Sequence, residues 1–137
     1  MSRGILIDTA YLVALLDTRD RWHRVAFDLA REFERQSAAL HTTDMVLTEF
    51  GHYFARSPLR TAAAQWVQTL RAEPAFQIAE GVRALQLRGE ARYRKYPDKA
   101  WSVTDCVSME YMVEKSLSEV ATTDAHFEQG GFRILLK

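Results

Sequence analysis

The stretch Gly4-Ile5-Leu6-Ile7-Asp8-Thr9 constrains this chain more than any other. Three branched apolar residues bounded by Gly make a run too brief for a helix and apolar on both faces, the pattern of a strand buried inside a parallel sheet. Helical periodicity follows at once, with Tyr11, Leu12, Leu15 and Leu16 recurring at helical spacing. A strand feeding a helix is the α/β unit, and in open parallel sheets the ligand crevice lies at the carboxyl ends of the strands. Asp8 stands at such an end. Capping of the helix that begins at Thr9 is the plain structural alternative for its carboxylate.

With 137 residues, 47% of them hydrophobic, the chain buries a core without a metal or disulfide staple. Eighteen basic and eighteen acidic residues cancel, so any preference for nucleic acid must be local. The single Cys106 has no intramolecular partner, Asp8 interrupts the only apolar stretch near the N-terminus, and no small-residue cleavage site follows. A reducing, cytoplasmic setting is the expectation. No apolar run approaches the ~18 residues that a membrane-spanning helix needs.

The periodicity predicts a helix over Thr9–Leu16, a turn at Asp17–Asp20, and a second helix to about Gln36. That helix carries a core stripe of Trp22, Val25, Ala26, Leu29 and Phe33, and a structural His23. A weak strand over Ala38–Thr42 precedes a helix from Asp44 to about Arg56, capped by Thr42 or Thr43. Pro58–Ala72 is expected to be helical with Pro in the first turn, and Ala75–Ala79 to be an edge strand. A helix from Glu80 or Gly81 runs to the Tyr96-Pro97 break, a loop spans Pro97–Val103, and Thr104–Ser116 is a further helix. Val120–Thr123 and Phe132–Leu136 are the last strands, the second entered through Gly130-Gly131. The alternation argues for a parallel sheet covered on both faces.

Three more acids are placed suggestively. Asp124 follows the apolar strand ending in Ala121-Thr122-Thr123 as Asp8 follows Ile5-Leu6-Ile7, and Asp105 opens a helix after a loop, where capping would also explain it. Glu49 lies in mid-helix with Met45, Val46 and Tyr53 as neighbours on its face, so it is expected on or beside the buried side. If the four converge, two carboxylates ~4 Å apart repel by up to ~4 kcal/mol at an effective dielectric near 20, and the cluster must hold protons or cations. Oxygen ligands of this kind suit Mg²⁺ or Mn²⁺ rather than zinc. Lys99 is the nearest basic residue in sequence and cannot balance four charges.

Other chemistries fit less well. A strand-borne Asp phosphatase motif needs a second Asp where Ala10 stands, no Gly-rich phosphate loop follows any strand, and Cys106 and the four His have no catalytic spacing. Taken together, Ile7-Asp8-Thr9, Thr48-Glu49, the run from Asp98-Lys99 through Trp101-Ser102-Val103-Thr104-Asp105-Cys106, and Thr123-Asp124-Ala125-His126-Phe127 leading to Gly131-Phe132 resemble the PIN-domain ribonucleases. The likeness is to the toxins of VapBC-type toxin–antitoxin pairs in particular. It implies one PIN-like nuclease domain over residues 1–137, a three-layer α-β-α architecture on a parallel sheet of about five strands. It also implies catalytic, metal-binding carboxylates Asp8, Glu49, Asp105 and Asp124 with Mg²⁺ or Mn²⁺, RNA phosphodiester hydrolysis, a cognate antitoxin and a homodimer. Ser108, Glu110 and Tyr111 depart from the small apolar residues common there.

Thr9, Ser102 and Thr104 are candidate supporting hydroxyls, with helix capping the alternative for the last two. Arg83, Arg88, Arg92, Arg94, Lys95 and Lys99 outnumber Glu90 and Asp98, with Tyr93, Tyr96 and Trp101 interleaved. Arg88, Arg92, Lys95 and Lys99 are therefore RNA-binding candidates, beside the readings of a solvated helix face or an antitoxin contact. Trp66 and Val67 are expected to form an exposed apolar patch at a dimer interface. A non-catalytic member of the same fold that binds RNA or protein, or a housekeeping RNA-processing nuclease, is the alternative function.

Overall fold

A computed structural model describes residues 3–80 and 82–137. Five parallel strands form one sheet in the order β3-β2-β1-β4-β5. They are β1 (Gly4–Ile7), β2 (Ala39–Thr43), β3 (Phe76–Ala79), β4 (Glu119–Ala121) and β5 (Arg133–Ile134). The helices are α1 (Thr9–Leu16), α2 (His23–Arg35), α3 (Asp44–Tyr53), α4 (Arg60–Ala72), α5 (Arg83–Lys95), α6 (Val103–Glu114) and α7 (His126–Gln129).

The central strand explains the three layers. Successive side chains of a strand point to opposite faces. Ile5 and Ile7 pack with residues of α1, α2, α3 and α4, including Tyr11, Phe33, Phe50 and Ala63. Leu6 points the other way, into a second core with Leu85 of α5, Met109 and Met112 of α6 and Phe127 of α7. Both faces of β1 are thus buried, as its unbroken apolar run demands. His23 is structural, its Nδ1 lying 2.7 Å from the Ala14 carbonyl oxygen.

Several boundaries differ from expectation. The fourth helix begins at Arg60 rather than Pro58, because Ser57 Oγ accepts the Leu59 N–H at 3.0 Å and holds Pro58-Leu59 in a turn. Strand β4 ends at Ala121, so Thr122 and Thr123 lie beyond it. Strand β5 is only Arg133–Ile134, entered through Gly131 at φ +93°, a conformation that glycine adopts without penalty. Helix α7 is a single turn, too short to leave a periodic signal. Gly81, one of the two expected starts of the fifth helix, lies outside the described residues, and that helix begins at Arg83. Trp66 and Val67 do not form an exposed patch. Both are half-buried against the first core, with Trp66 stacked on Phe50 at 6.4 Å, because the α4 stripe is spent on covering α3. No helix among the described residues is long and apolar enough to cross a membrane.

Candidate active site

The strand order places the site. From β1 the chain moves outward to β2 and then β3, and it returns to lay β4 on the other side of β1. The crevice therefore opens between the carboxyl ends of β1 and β4, the point where connections diverge. Asp8 follows one of these strands and Thr122-Thr123-Asp124 the other. A cleft of about 420 Å³ lies there, lined by Asp8, Thr9, Glu49, Asp105, Thr123 and Asp124, with Asp20, Trp22 and Tyr53 also in its wall. All four acids are brought together.

Their surroundings differ. Asp8 is 5% exposed, and although it occupies the N-cap position of α1 its side chain does not cap that helix. Its Oδ2 instead accepts the Thr122 hydroxyl at 2.8 Å. Burial pushes its carboxyl up to about 7, against the Thr122 hydrogen bond and helped by the charges of Asp105 and Glu49. Asp105 does cap: Ser102 Oγ accepts the Asp105 N–H at 3.0 Å, and Asp105 Oδ2 accepts the Ser102 N–H at 3.1 Å. That reciprocal pair does not remove it from the cleft. Burial raises its carboxyl as well, with the neighbouring Asp124 adding to the rise.

Glu49 lies beside the buried face and not on it: it is exposed, as is Tyr53 one turn on. The core stripe of α3 is Val46, Leu47 and Phe50, and Glu49 flanks it where the helix borders the cleft. No compensating partner is needed for its carboxylate. Thr9 lines the cleft, and its hydroxyl is buried with no hydrogen-bond partner among the described residues. The Ser102 hydroxyl is taken up by the cap, and Thr104 stands in the first turn of α6 outside the cleft lining.

Two residues that periodicity does not single out complete the site. Thr122 is fully buried and joins the two strand ends, since the oxygen that donates to Asp8 also accepts the Asp124 N–H at 3.1 Å. His126 places Nδ1 3.2 Å from Asp124 Oδ1 and 3.5 Å from Asp105 Oδ2, yet among the described residues that buried nitrogen has no hydrogen bond. Asp105, Asp124 and His126 each offer a ligand atom within 4.8 Å of the others. An unpartnered donor nitrogen beside carboxylates of this kind fits a divalent ion. The signals available in sequence were slight: a second Thr before Asp124, and a His two residues after it.

Replacing Thr122 by Val should test its bridging role, since the shapes match and only the hydroxyl is lost. We expect a loss of about 1–3 kcal/mol in chemical denaturation, the cost of leaving a buried polar group unpaired, and a further upward displacement of the Asp8 titration followed by NMR. An unchanged Asp8 titration would show that Thr122 does not hold it.

The basic candidates lie away from the cleft lining. Arg92 Nε is 2.6 Å from Glu110, and Arg88 reaches Glu114 at 3.5 Å and Glu110 at 3.9 Å, so acids of α6 offset two of them. Lys99 lies 3.7 Å from Asp98, and Lys95 sits over the Tyr96 ring. Trp101 is 5% exposed and donates its indole N–H to Gln129, so it offers no open ring.

A family model described as the PIN domain matches residues 5–132. No curated protein is similar enough in sequence to count as a match. Among solved structures, Mycobacterium tuberculosis VapC20, titled a sarcin-ricin loop cleaving toxin, superposes with a TM-score of 0.83 at 20% identity, over 93% of this chain and 95% of that one. FitAcB from Neisseria gonorrhoeae superposes with a TM-score of 0.63 at 19% identity over 96% of each chain. DNA-bound VapBC from Salmonella typhimurium gives 0.63 at 14% identity over 98% and 97%. These likenesses concern the fold. With the family model covering nearly the whole chain and the sheet order in place, the protein belongs to the PIN domain family.

Proposed function

We propose that this protein is a divalent-metal-dependent endoribonuclease, the toxin of a type II toxin–antitoxin pair restrained by a cognate antitoxin. One observation carries the nuclease reading: five carboxylates, Asp8, Glu49, Asp105, Asp124 and Asp20, share a cleft at the sheet's switch point, and among the described residues no lysine or arginine pairs with any of them. Structural acids are normally paired, and unpaired ones in a crevice with displaced titration mark a functional site. The toxin reading is supported by the likeness to structures titled VapC20 and VapBC.

Asp8, Glu49, Asp105 and Asp124 would hold Mg²⁺ or Mn²⁺ with His126 at the edge, and the bound ion would acidify water and offset charge on the phosphate. The chain's own residues do the rest. Thr122 fixes the Asp8 carboxylate, and the His126 backbone N–H fixes Asp124 Oδ1 at 2.9 Å. The Thr9 hydroxyl, buried with no hydrogen-bond partner among the described residues, is placed to orient water. A labelled RNA with unpaired loops should be cut with Mg²⁺ or Mn²⁺, and not with chelator. If neither ion supports cutting, and RNA binding ignores the chelator, the protein is a non-catalytic binding module. Expression should arrest growth, and a small adjacent DNA-binding protein should relieve the arrest; no relief would remove the toxin reading.

Metal should also stabilise the fold. At a hundredfold excess over its dissociation constant the ion adds about 2.7 kcal/mol by mass action. Protons compete for the same oxygens, so the gain should be full at pH 8 and fade as pH falls through about 7, where Asp8 protonates. Thermal melting with and without Mn²⁺ at pH 8 and pH 5.5 checks this, and equal shifts at both values would place the ion elsewhere.

A further inference from the structure

Two aromatic side chains in the cleft lining are not explained by the acids. Tyr53 and Trp22 line the cleft beside the carboxylates, Trp22 half-buried against the first core and Tyr53 open. Glu49 and Tyr53 stand four residues apart on α3 and project from the same face. Tyr53 is 60% exposed, with its ring edge-on to the buried Phe54 at 4.9 Å, so its position is braced while its surface stays open. Trp22 comes from the α1–α2 loop, where Asp20 Oδ1 accepts its backbone N–H at 2.8 Å. The Arg21 guanidinium lies 5.3 Å from the Trp22 ring centroid, and among the described residues Arg21 makes no ion pair. The open Tyr53 ring thus lies in the cleft lining, with the unpaired Arg21 held beside it on Trp22, whereas two arginines of α5 are tied to Glu110 and Glu114.

We propose that Tyr53, Trp22 and Arg21 form the subsite that takes the unpaired nucleotide next to the cut phosphate. The proposal rests on the nuclease reading above. A base in a paired A-form helix has its faces covered, whereas one in a loop or single strand stacks on an open ring. Arg21 supplies the charge for the flanking phosphate, which the acids would otherwise repel. The occupant is therefore an unpaired ribonucleotide, and a fully paired duplex is excluded.

The test compares a labelled RNA hairpin carrying an unpaired loop with a fully paired duplex. Binding is measured in an Asp8→Asn background, where cutting is blocked, and cleavage in the otherwise unaltered chain. Tyr53→Ala should weaken hairpin binding and raise KM roughly five- to 150-fold, the range for loss of one base–ring stack. Tyr53→Phe should restore both, Arg21→Ala should weaken binding with a smaller salt dependence, and melting temperatures should not move. Unchanged binding and cleavage in Tyr53→Ala and Arg21→Ala would overturn the subsite and leave the nuclease reading standing. So would a loss confined to Tyr93→Ala and Arg94→Ala on α5, or a change in sedimentation of Tyr53→Ala with RNA binding intact, which would make this face a protein contact. Tyr53-dependent binding without cleavage under any ion would remove the nuclease reading and leave Tyr53 as a base-stacking contact of a binding module. A parent that binds no RNA overturns both.

Discussion

Asp8→Asn is expected to stabilise the metal-free protein at pH 8, by up to about 4 kcal/mol, while abolishing cleavage, since burial pushes the folded carboxyl up to about 7. The sign follows from proton binding. In the unfolded chain the group titrates at 3.8, and in the fold at about 7, so between those values the folded state holds a proton that the unfolded state lacks. Stability therefore falls as pH rises through that window, and the full cost is present above about 7. Asn cannot ionise, and its side-chain oxygen can still accept the Thr122 hydroxyl, so the variant escapes the cost. Its advantage should be widest at pH 8 and gone near pH 4. Urea denaturation in chelator at both pH values measures it, and a variant less stable than the parent at pH 8 would mean that the carboxylate holds the fold. Glu49→Gln should be nearly neutral by comparison, because Glu49 is exposed and surface changes of this kind are small.

Gly89→Ala should be the most damaging conservative change on the opposite face of the sheet. An added Cβ at Gly89 would lie 2.9 Å from Val107 Cα and 3.0 Å from Val107 N, inside the backbone of α6. Backbone cannot rotate away as a side chain can. The two helices must separate, which strains the Arg92–Glu110 pair and the second core. Alanine recovers about 1 kcal/mol of helix propensity, and we expect a net loss of about 1–3 kcal/mol once the overpacking is included. Because α6 carries Asp105, cleavage should fall as well. Val107→Ala in the same chain should rescue only part of the loss, since it removes the clash with the Val107 Cγ2 methyl and leaves those with the main-chain Cα and N. A Gly89→Ala protein as stable as the parent in chemical denaturation would show that these helices part freely.

Local chemistry made much of this legible in the primary structure. The apolar run before Asp8 could be satisfied only by burial on both faces, and that alone implied a central parallel strand with a carboxylate at its tip. The repeated pattern before Asp124 and the Ser102-Val103-Thr104-Asp105 cap were readable for the same reason, since short-range sterics and hydrogen bonding decide them. Misreadings arose where a residue's neighbours come from distant segments. Tyr53 has the spacing of a buried face, yet α3 ends beside an open cleft. Arg88 and Arg92 form a basic stripe until Glu110 and Glu114 arrive from 18 or more residues away.

The covalent order of residues dictated the strand-and-helix alternation, the acids at strand and helix ends, and the helix caps, because each depends on groups within a few residues. Tertiary structure alone decided that β4 lies beside β1, and hence that Asp8 meets Asp124 through Thr122, that His126 turns toward Asp105, and that Tyr53 and Trp22 wall the same cleft. Those juxtapositions span as many as 114 residues. No local preference specifies such a contact; it follows from the way two apolar cores close on opposite faces of one sheet.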